Sequence, residues 1–214
     1  MCLRSSEFFF FACRFCEQTS DLFQDPTLPF HLDIGCARGG FCMKLAATRP
    51  DLNVLGLEIR RPVAAFCTKR AIESGLPNVG FVSCNANVDL DRILQGIKNA
   101  SSQLARVSIQ FPDPHFKARH QKRRVVQPAL VQAIVDNTDS DCDVFIQSDI
   151  LDVAMDMRLQ FRDHSGFVEV SENIDVWMPE NPTGIPTERE VGVLEKGLPV
   201  YRTQFRRRMA TSQS

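Results

Sequence analysis

The chain has 214 residues, which at roughly 150 residues per domain is one compact domain with short additions. Its 43% apolar and 24% charged residues are near the globular average and exclude a disordered, collagen-like or membrane-embedded chain. The net charge is only −1, yet residues 117–124 hold five Lys/Arg and residues 201–208 hold four, with no acid in either segment, against 16 basic and 26 acidic residues elsewhere; an acidic body with two concentrated basic segments points to a local surface for a polyanion.

Residues 1–29 lack periodicity and end in the turn-like Asp25-Pro26-Thr27-Leu28-Pro29, so they read as a poorly ordered appendage before a domain at 30–208 and a tail at 209–214. The apolar run Phe8 to Cys13 is too short for a signal-peptide core or a membrane span, and residues 1–21 only partly have a transit-peptide composition. Cys13 and Cys16 form a lone C-x-x-C without a second pair at zinc spacing, so no metal site is expected. Cys36, Cys42, Cys67, Cys84 and Cys142 sit in apolar segments, where free Cys behaves as a small hydrophobe. That usage indicates a reducing compartment: the cytoplasm or nucleus first, a plastid or mitochondrion as the alternative.

From Phe30 onward, strand-like runs alternate with helical patterns. Strands are predicted at Phe30 to Ile34, Asn53 to Leu57, Val79 to Ser83, Arg106 to Gln110 and Val144 to Gln147, with helices to Arg49 and over Pro62 to Ser74, Asp89 to Lys98, Pro128 to Asn137 and Asp149 to Phe161. Alternating β and α elements imply a parallel sheet covered on both faces. Phe167 to Trp177 and Leu198 to Arg206 lack intervening long helices and read as late antiparallel strands.

The turn Asp33-Ile34-Gly35-Cys36-Ala37-Arg38-Gly39-Gly40 follows the first strand, and in an open α/β sheet such a turn faces the ligand crevice. The second strand ends at Glu58, an acid able to accept both hydroxyls of a ribose. A nicotinamide dinucleotide fits this pattern too, although no G-x-G-x-x-G follows the first strand; a P-loop does not fit, because G-x-x-x-x-G-K-[ST] is absent. Blander roles are a solvated strand end for Glu58, a cap or turn carboxylate for Asp33 and a turn former for Asp113.

Taken in order, D-I-G-C-A-R-G-G, L-E-I-R at Leu57 to Arg60, C-N-A-N at Cys84 to Asn87, F-P-D-P-H-F-K at Phe111 to Lys117 and P-T-E-R-E at Pro186 to Glu190 resemble the motifs of the tRNA (guanine-N7)-methyltransferases. The resemblance runs from about Leu28 to Arg207. It implies a Rossmann-like class I S-adenosylmethionine-dependent methyltransferase fold, with a mostly parallel central sheet, antiparallel C-terminal strands and helices on both faces. It also implies methyl transfer from S-adenosylmethionine to N7 of guanosine 46 in the variable loop of tRNA.

On matching positions the resemblance assigns Asp33, Gly35, Glu58, Ile59, Asn85, Ala86, Thr187 and Glu190 to the cofactor side, Asp113 to catalysis, and Lys117 and Asp149 to the substrate. Arg119, Lys122, Arg123 and Arg124 then supply cations for tRNA phosphates; the alternative for such a run is a solvated charged face. Three positions depart from the pattern: Ala37-Arg38 replaces a second Gly, Asn85 stands where several members have Asp, and His115 replaces a Trp. An RNA-binding member of the fold with weakened catalysis is therefore the second reading, and an NAD-dependent oxidoreductase the third. No membrane partner is expected, and nothing in the sequence indicates the WD-repeat partner that some eukaryotic family members use; a monomer is the expectation.

Overall fold

The computed structural model describes residues 22–116, 123–138, 141–171, 173 and 176–208. The elements in chain order are β1 (Phe30–Ile34), α1 (Gly40–Thr48), β2 (Asn53–Glu58), α2 (Arg61–Ser74), β3 (Val79–Ser83), α3 (Ala86–Asn99), β4 (Leu104–Gln110), α4 (Pro128–Asn137), β5 (Asp143–Ser148), α5 (Leu151–Arg162), β6 (Phe167–Glu169), α6 (Glu188–Leu194) and β7 (Tyr201–Arg207).

The sheet order is β3-β2-β1-β4-β5-β7-β6. β1 to β5 pair in parallel, whereas β7 runs antiparallel to both β5 and β6. Strands β1, β2 and β5 are buried along their whole length, as expected where helices cover both faces of a parallel sheet. The larger core joins β1, β4 and β5 to Leu90, Ile93, Leu94 and Ile97 of α3, Val131 and Ile134 of α4 and Met157 and Phe161 of α5. The smaller one packs Phe41 and Leu45 of α1 and Cys67 of α2 against Val54 and Phe81.

Local chemistry sets the element ends. Pro62 and Pro128 occupy first turns, where a missing N–H costs nothing, and Gly75 at φ 65° closes α2. α3 begins three residues before the predicted Asp89 because the Asn85 side chain caps it, accepting from the Asn87 N–H at 3.1 Å. Of the late strand expected over Phe167 to Trp177, Phe167–Glu169 forms β6, with Val170 N–H also donating to the Gln204 carbonyl of β7, and the segment between β6 and β7 contains the short helix α6, which the pattern did not reveal.

The boundary of the appendage also shifts. Phe23 is buried and meets Phe30 edge-on at 5.0 Å, Gln24 N–H donates to the Pro77 carbonyl, and Asn53 Nδ2 donates to the Asp25 carbonyl. Residues 22–29 therefore pack onto the domain: the lone aromatic side chain of Phe23 fills the groove beside Gly80 of β3, which periodicity could not signal. Residues 1–21 and 209–214 lie outside the described residues.

Candidate active site

The strand order reverses between β1 and β4, so their carboxyl ends diverge and leave a crevice. At the end of β1, Asp33 is buried; its Oδ1 accepts from Ser108 Oγ at 2.6 Å and Gln110 Nε2 at 3.2 Å, and its Oδ2 from the Cys42 thiol at 3.4 Å. Burial pushes the Asp33 carboxyl above its ordinary value, against these three hydrogen bonds. His31, to which sequence reasoning gave no role, is buried with Nε2 2.9 Å from Ser108 Oγ. Because the Ser108 hydroxyl donates to Asp33, His31 must donate to Ser108 from Nε2. Burial, reinforced by Arg106 and Arg49, lowers the His31 pKa to about 3, so the ring is neutral.

The turn after β1 is closed by Gly35 N–H and Cys36 N–H, which both donate to the Leu57 carbonyl at 2.8 and 3.0 Å. Gly35 has φ 83°, and a Cβ there would meet no atom within 4 Å, so the turn is open to a ligand on that side. Ala37, part of the departure from a second glycine, itself takes a left-handed φ of 48°, a region that glycine enters at least cost. Gly56 in β2 is a further requirement: a Cβ there would lie 2.8 Å from Cys36 Sγ and 2.7 Å from the Phe81 ring.

Glu58 is 5% exposed at the end of β2, so the solvated strand end is excluded. Its Oε1 accepts from Arg60 N–H at 2.9 Å and from Arg60 Nε at 3.1 Å. Hydrogen bonding to Glu58 raises the Arg60 pKa, and the charge of Asp113 adds a little to the shift. The neighbouring Ile59 leaves 64% of its surface exposed. Beyond β3, Ala86 is buried and Asn85 is exposed. With Asn85 Oδ1 used by the helix cap, the end of that amide available to a base is the Nδ2 donor.

Asp113 is exposed on the turn after β4, between Pro112 and Pro114. Two non-glycine residues around it, Phe111 at φ 51° and His115 at φ 45°, adopt left-handed backbone, a concentration of strain that persists where surrounding contacts enforce it. Phe111 N–H is held by the Gln147 carbonyl at 2.8 Å. Phe116 is 72% exposed, which removes a packing role for its ring.

Thr187 and Glu190 form a capping box at the start of α6: Thr187 Oγ1 accepts from Glu190 N–H at 3.0 Å, and Glu190 Oε2 faces Thr187 N–H at 3.4 Å. Glu190 is buried and ion-paired with Arg202 at 2.8 Å. Glu188, unnoticed in the sequence, reaches the cofactor turn, since a Cβ on Gly40 would stand 3.1 Å from its Oε1. Asp149, after β5, pairs with Arg189 of α6.

Two readings of the basic residues change. Arg124 is buried, donates from Nε to the Pro114 carbonyl at 3.2 Å and pairs with Asp152 and Asp156 of α5, so its charge is turned inward and it is not a phosphate ligand. Arg206 pairs with Asp143 at the amino end of β5, so residues 206–208 lie at the opposite end of the sheet from the crevice, and of the C-terminal basic segment only Arg202 stands at the crevice end, opposite Gln147. Arg123 is exposed; Lys117, Arg119 and Lys122 lie outside the described residues. Among the described residues no group of side chains is arranged to hold a metal ion, all five cysteines are free, and no helix is long and apolar enough to cross a membrane.

This sheet order, with acids at the ends of β1, β2 and β4, is a class I S-adenosylmethionine-dependent methyltransferase fold. The aminoglycoside resistance methyltransferase NpmB1 superposes with a TM-score of 0.58 at 14% identity, covering 90% of this chain and 93% of its own. The 16S rRNA methyltransferase KamB does so with a TM-score of 0.58 at 12% identity, covering 88% and 91%. The profile of a family described as "Putative methyltransferase" matches residues 27–203. The tRNA (guanine-N(7)-)-methyltransferase of Synechococcus elongatus is 47% identical over 189 residues, 88% of this chain and 86% of the relative. That of Thermosynechococcus vestitus is 45% identical over 188 residues, 88% and 84%. The chain belongs to the tRNA (guanine-N7)-methyltransferase family. S-adenosylmethionine is the cofactor that the family and the fold imply, and the dinucleotide reading falls away.

Proposed function

We propose that this chain transfers a methyl group from S-adenosylmethionine to N7 of a guanosine in tRNA, at position 46 of the variable loop. The observation that carries the reading is the buried Glu58 carboxylate at the end of β2, next to the Leu57 carbonyl that closes the open Gly35 turn. The residues fit the cofactor. A buried carboxylate suits two ribose hydroxyls, the exposed Ile59 offers an apolar face to adenine, Asn85 and Ala86 flank that base, and the uncrowded Gly35 lets the backbone approach the methionine part. Asp33, Thr187 and Glu190 complete that side. The position in the variable loop rests on the motif resemblance.

Bound S-adenosylmethionine supplies an electrophilic methyl group on a sulfonium sulfur. Guanine N7 carries an in-plane lone pair and no proton at neutral pH, so no residue has to act as a base before attack. Alignment of N7 with the methyl carbon is the main task, and a near-attack geometry supplies roughly 7 to 11 kcal/mol of the barrier. Asp113 accepts hydrogen bonds from the guanine edge and stabilises the positive charge that grows on the purine. Lys117 and Asp149 hold the substrate, Phe116 offers a stacking face in place of the Trp that His115 replaces, and Arg119, Lys122 and Arg123 meet phosphates flanking the target. The base leaves its stack to reach the pocket. A reducing compartment and action as a monomer without a WD-repeat partner belong to the same proposal; the five free thiols support the first.

The test is methylation of unmodified tRNA transcript by the purified protein, with nucleosides identified by mass spectrometry. The expected product is 7-methylguanosine at one variable-loop position. Protein that binds S-adenosylhomocysteine yet leaves no 7-methylguanosine on tRNA overturns the reading and favours the RNA-binding alternative.

A further inference from the structure

A buried chain of hydrogen bonds joins the acid at the end of β1 to the acid of the T-x-x-E motif, and it passes through two glutamines. Gln110 and Gln147 stand opposite each other in the β4–β5 pair, and Gln147 stands opposite Arg202 in the β5–β7 pair. Gln110 Nε2 donates to Asp33 Oδ1 at 3.2 Å. Gln147 Nε2 donates to Gln110 Oε1 at 2.9 Å and to Glu190 Oε2 at 3.0 Å, while its Oε1 accepts from Arg202 Nε at 3.1 Å. Arg202 Nη2 donates to Glu190 Oε1 at 2.8 Å, and Asn181 Nδ2 donates to Glu190 Oε2 at 2.9 Å.

The donor directions admit one arrangement. Gln147 spends both amide hydrogens on acceptors and its oxygen on a cation; a flipped amide would set its oxygen against two acceptors and its NH2 against a guanidinium. Packing alone does not call for this assembly, because burying two carboxylates, a guanidinium and two amides costs more than apolar side chains of the same volume. Phe145, two residues earlier on the same face of β5, is fully buried and apolar, so that face accepts a hydrocarbon where no charge has to be aimed.

We propose that Gln147 is a positioning residue for methyl transfer, holding the Glu190 carboxylate and, through Gln110, the Asp33 carboxylate in one fixed relation on the cofactor side of the crevice. This rests on the function proposed above. Separately, the backbone of the same residue holds the Asp113 turn, Phe111 N–H donating to the Gln147 carbonyl, a bond that side-chain replacement leaves in place. One residue of β5 thereby touches three parts of the site.

The experiment compares single-turnover methylation of tRNA by wild type, Gln147→Met, Glu190→Gln and the double variant. Met keeps the length of the side chain and removes both donors and the acceptor. A misaligned pair of carboxylates should slow Gln147→Met on the order of 10- to 100-fold at saturating tRNA and cofactor, with tRNA affinity unchanged. Because Gln147 acts in part through Glu190, the same change should cost less when Glu190→Gln is already present. An undiminished rate in Gln147→Met, or an equal loss in both backgrounds, overturns the proposal. Should Met prevent folding, Gln147→Glu decides. The groups facing position 147 are Glu190 of α6 and Arg202 of β7, with Asp33 of β1 beyond Gln110. A neutral acid there still donates to Glu190 and accepts from Arg202, whereas its anion opposes Glu190, so its rate relative to wild type should fall as pH rises; a flat ratio overturns the proposal. Wild type is the control: if it fails to methylate tRNA the functional reading fails, whereas active wild type with additive variants refutes the role of Gln147 alone.

Discussion

Arg124 Nε donates to the Pro114 carbonyl at 3.2 Å, so the last cation of the basic run ties the Asp113 turn to the rest of the domain. Its other nitrogens reach Asp152 and Asp156, which anchors that turn to α5. The neighbouring Arg123 faces solvent.

Arg124→Gln should therefore lower the unfolding free energy, on the order of 2 kcal/mol for the loss of charge-assisted hydrogen bonds to a partly solvated partner. Replacing Arg119, Lys122 and Arg123 by Ala should instead leave stability unchanged and flatten the salt dependence of tRNA binding, by roughly one unit of slope per phosphate contact. Urea denaturation and tRNA titrations at several salt concentrations check both. A slope that falls in Arg124→Gln would restore that residue to the RNA surface.

Glu58→Gln keeps an acceptor for Arg60 while removing the charge offered to the ribose. Each charge-assisted bond is worth roughly 1.5 to 3 kcal/mol, so S-adenosylhomocysteine should bind about 10- to 100-fold more weakly by calorimetry. Affinity equal to wild type would mean that the ribose lies elsewhere.

Asp113→Asn preserves the shape of a turn already constrained by Phe111 and His115 and removes only the charge. Turnover should fall about 10²- to 10³-fold with tRNA and cofactor affinity largely retained. The wild-type rate should show no ascending limb near pH 7, because N7 needs no deprotonation. Near-wild-type single turnover in the variant would reduce Asp113 to a turn former.

His31 gives the fold a pH signature. Its pKa falls from an ordinary 6.5 to about 3 on burial, so the unfolded chain binds a proton that the native ring refuses. The contribution of His31 is complete above pH 6.5 and is lost as pH falls from there towards 3. Asp33 acts with the opposite sign: its raised pKa costs stability as pH rises above its ordinary 3.8. His31→Gln should flatten the loss of stability between pH 6.5 and 5 in urea titrations; an unchanged acid limb would refute the neutral buried ring.

Much of the architecture was legible from periodicity. The apolar runs beginning at Phe30 and Val79 and the helix opened by Pro128 form as predicted, because strands buried on both faces and proline-initiated helices carry their signals locally. The Gly-rich turn, Glu58 at the end of β2 and the F-P-D-P string were readable for the same reason: each lies where a strand stops, which is where ligands meet an α/β sheet.

What the sequence by itself determined is therefore the order of elements and the residues exposed at strand ends. The tertiary structure decided how the charges are used. Arg123 and Arg124 are adjacent and chemically identical, yet one faces water and the other is buried against α5, a choice made by residues 28 and 32 positions away. Gln110 and Gln147 looked like ordinary polar ends of apolar strands until the sheet set them side by side. Arg202, read as part of a basic segment, neutralises Glu190 because β7 enters the sheet antiparallel beside β5. Register and sheet order fix these pairings, and hydrogen bonds across them form only once the cores on both faces have excluded water. No spacing along the chain encodes that condition.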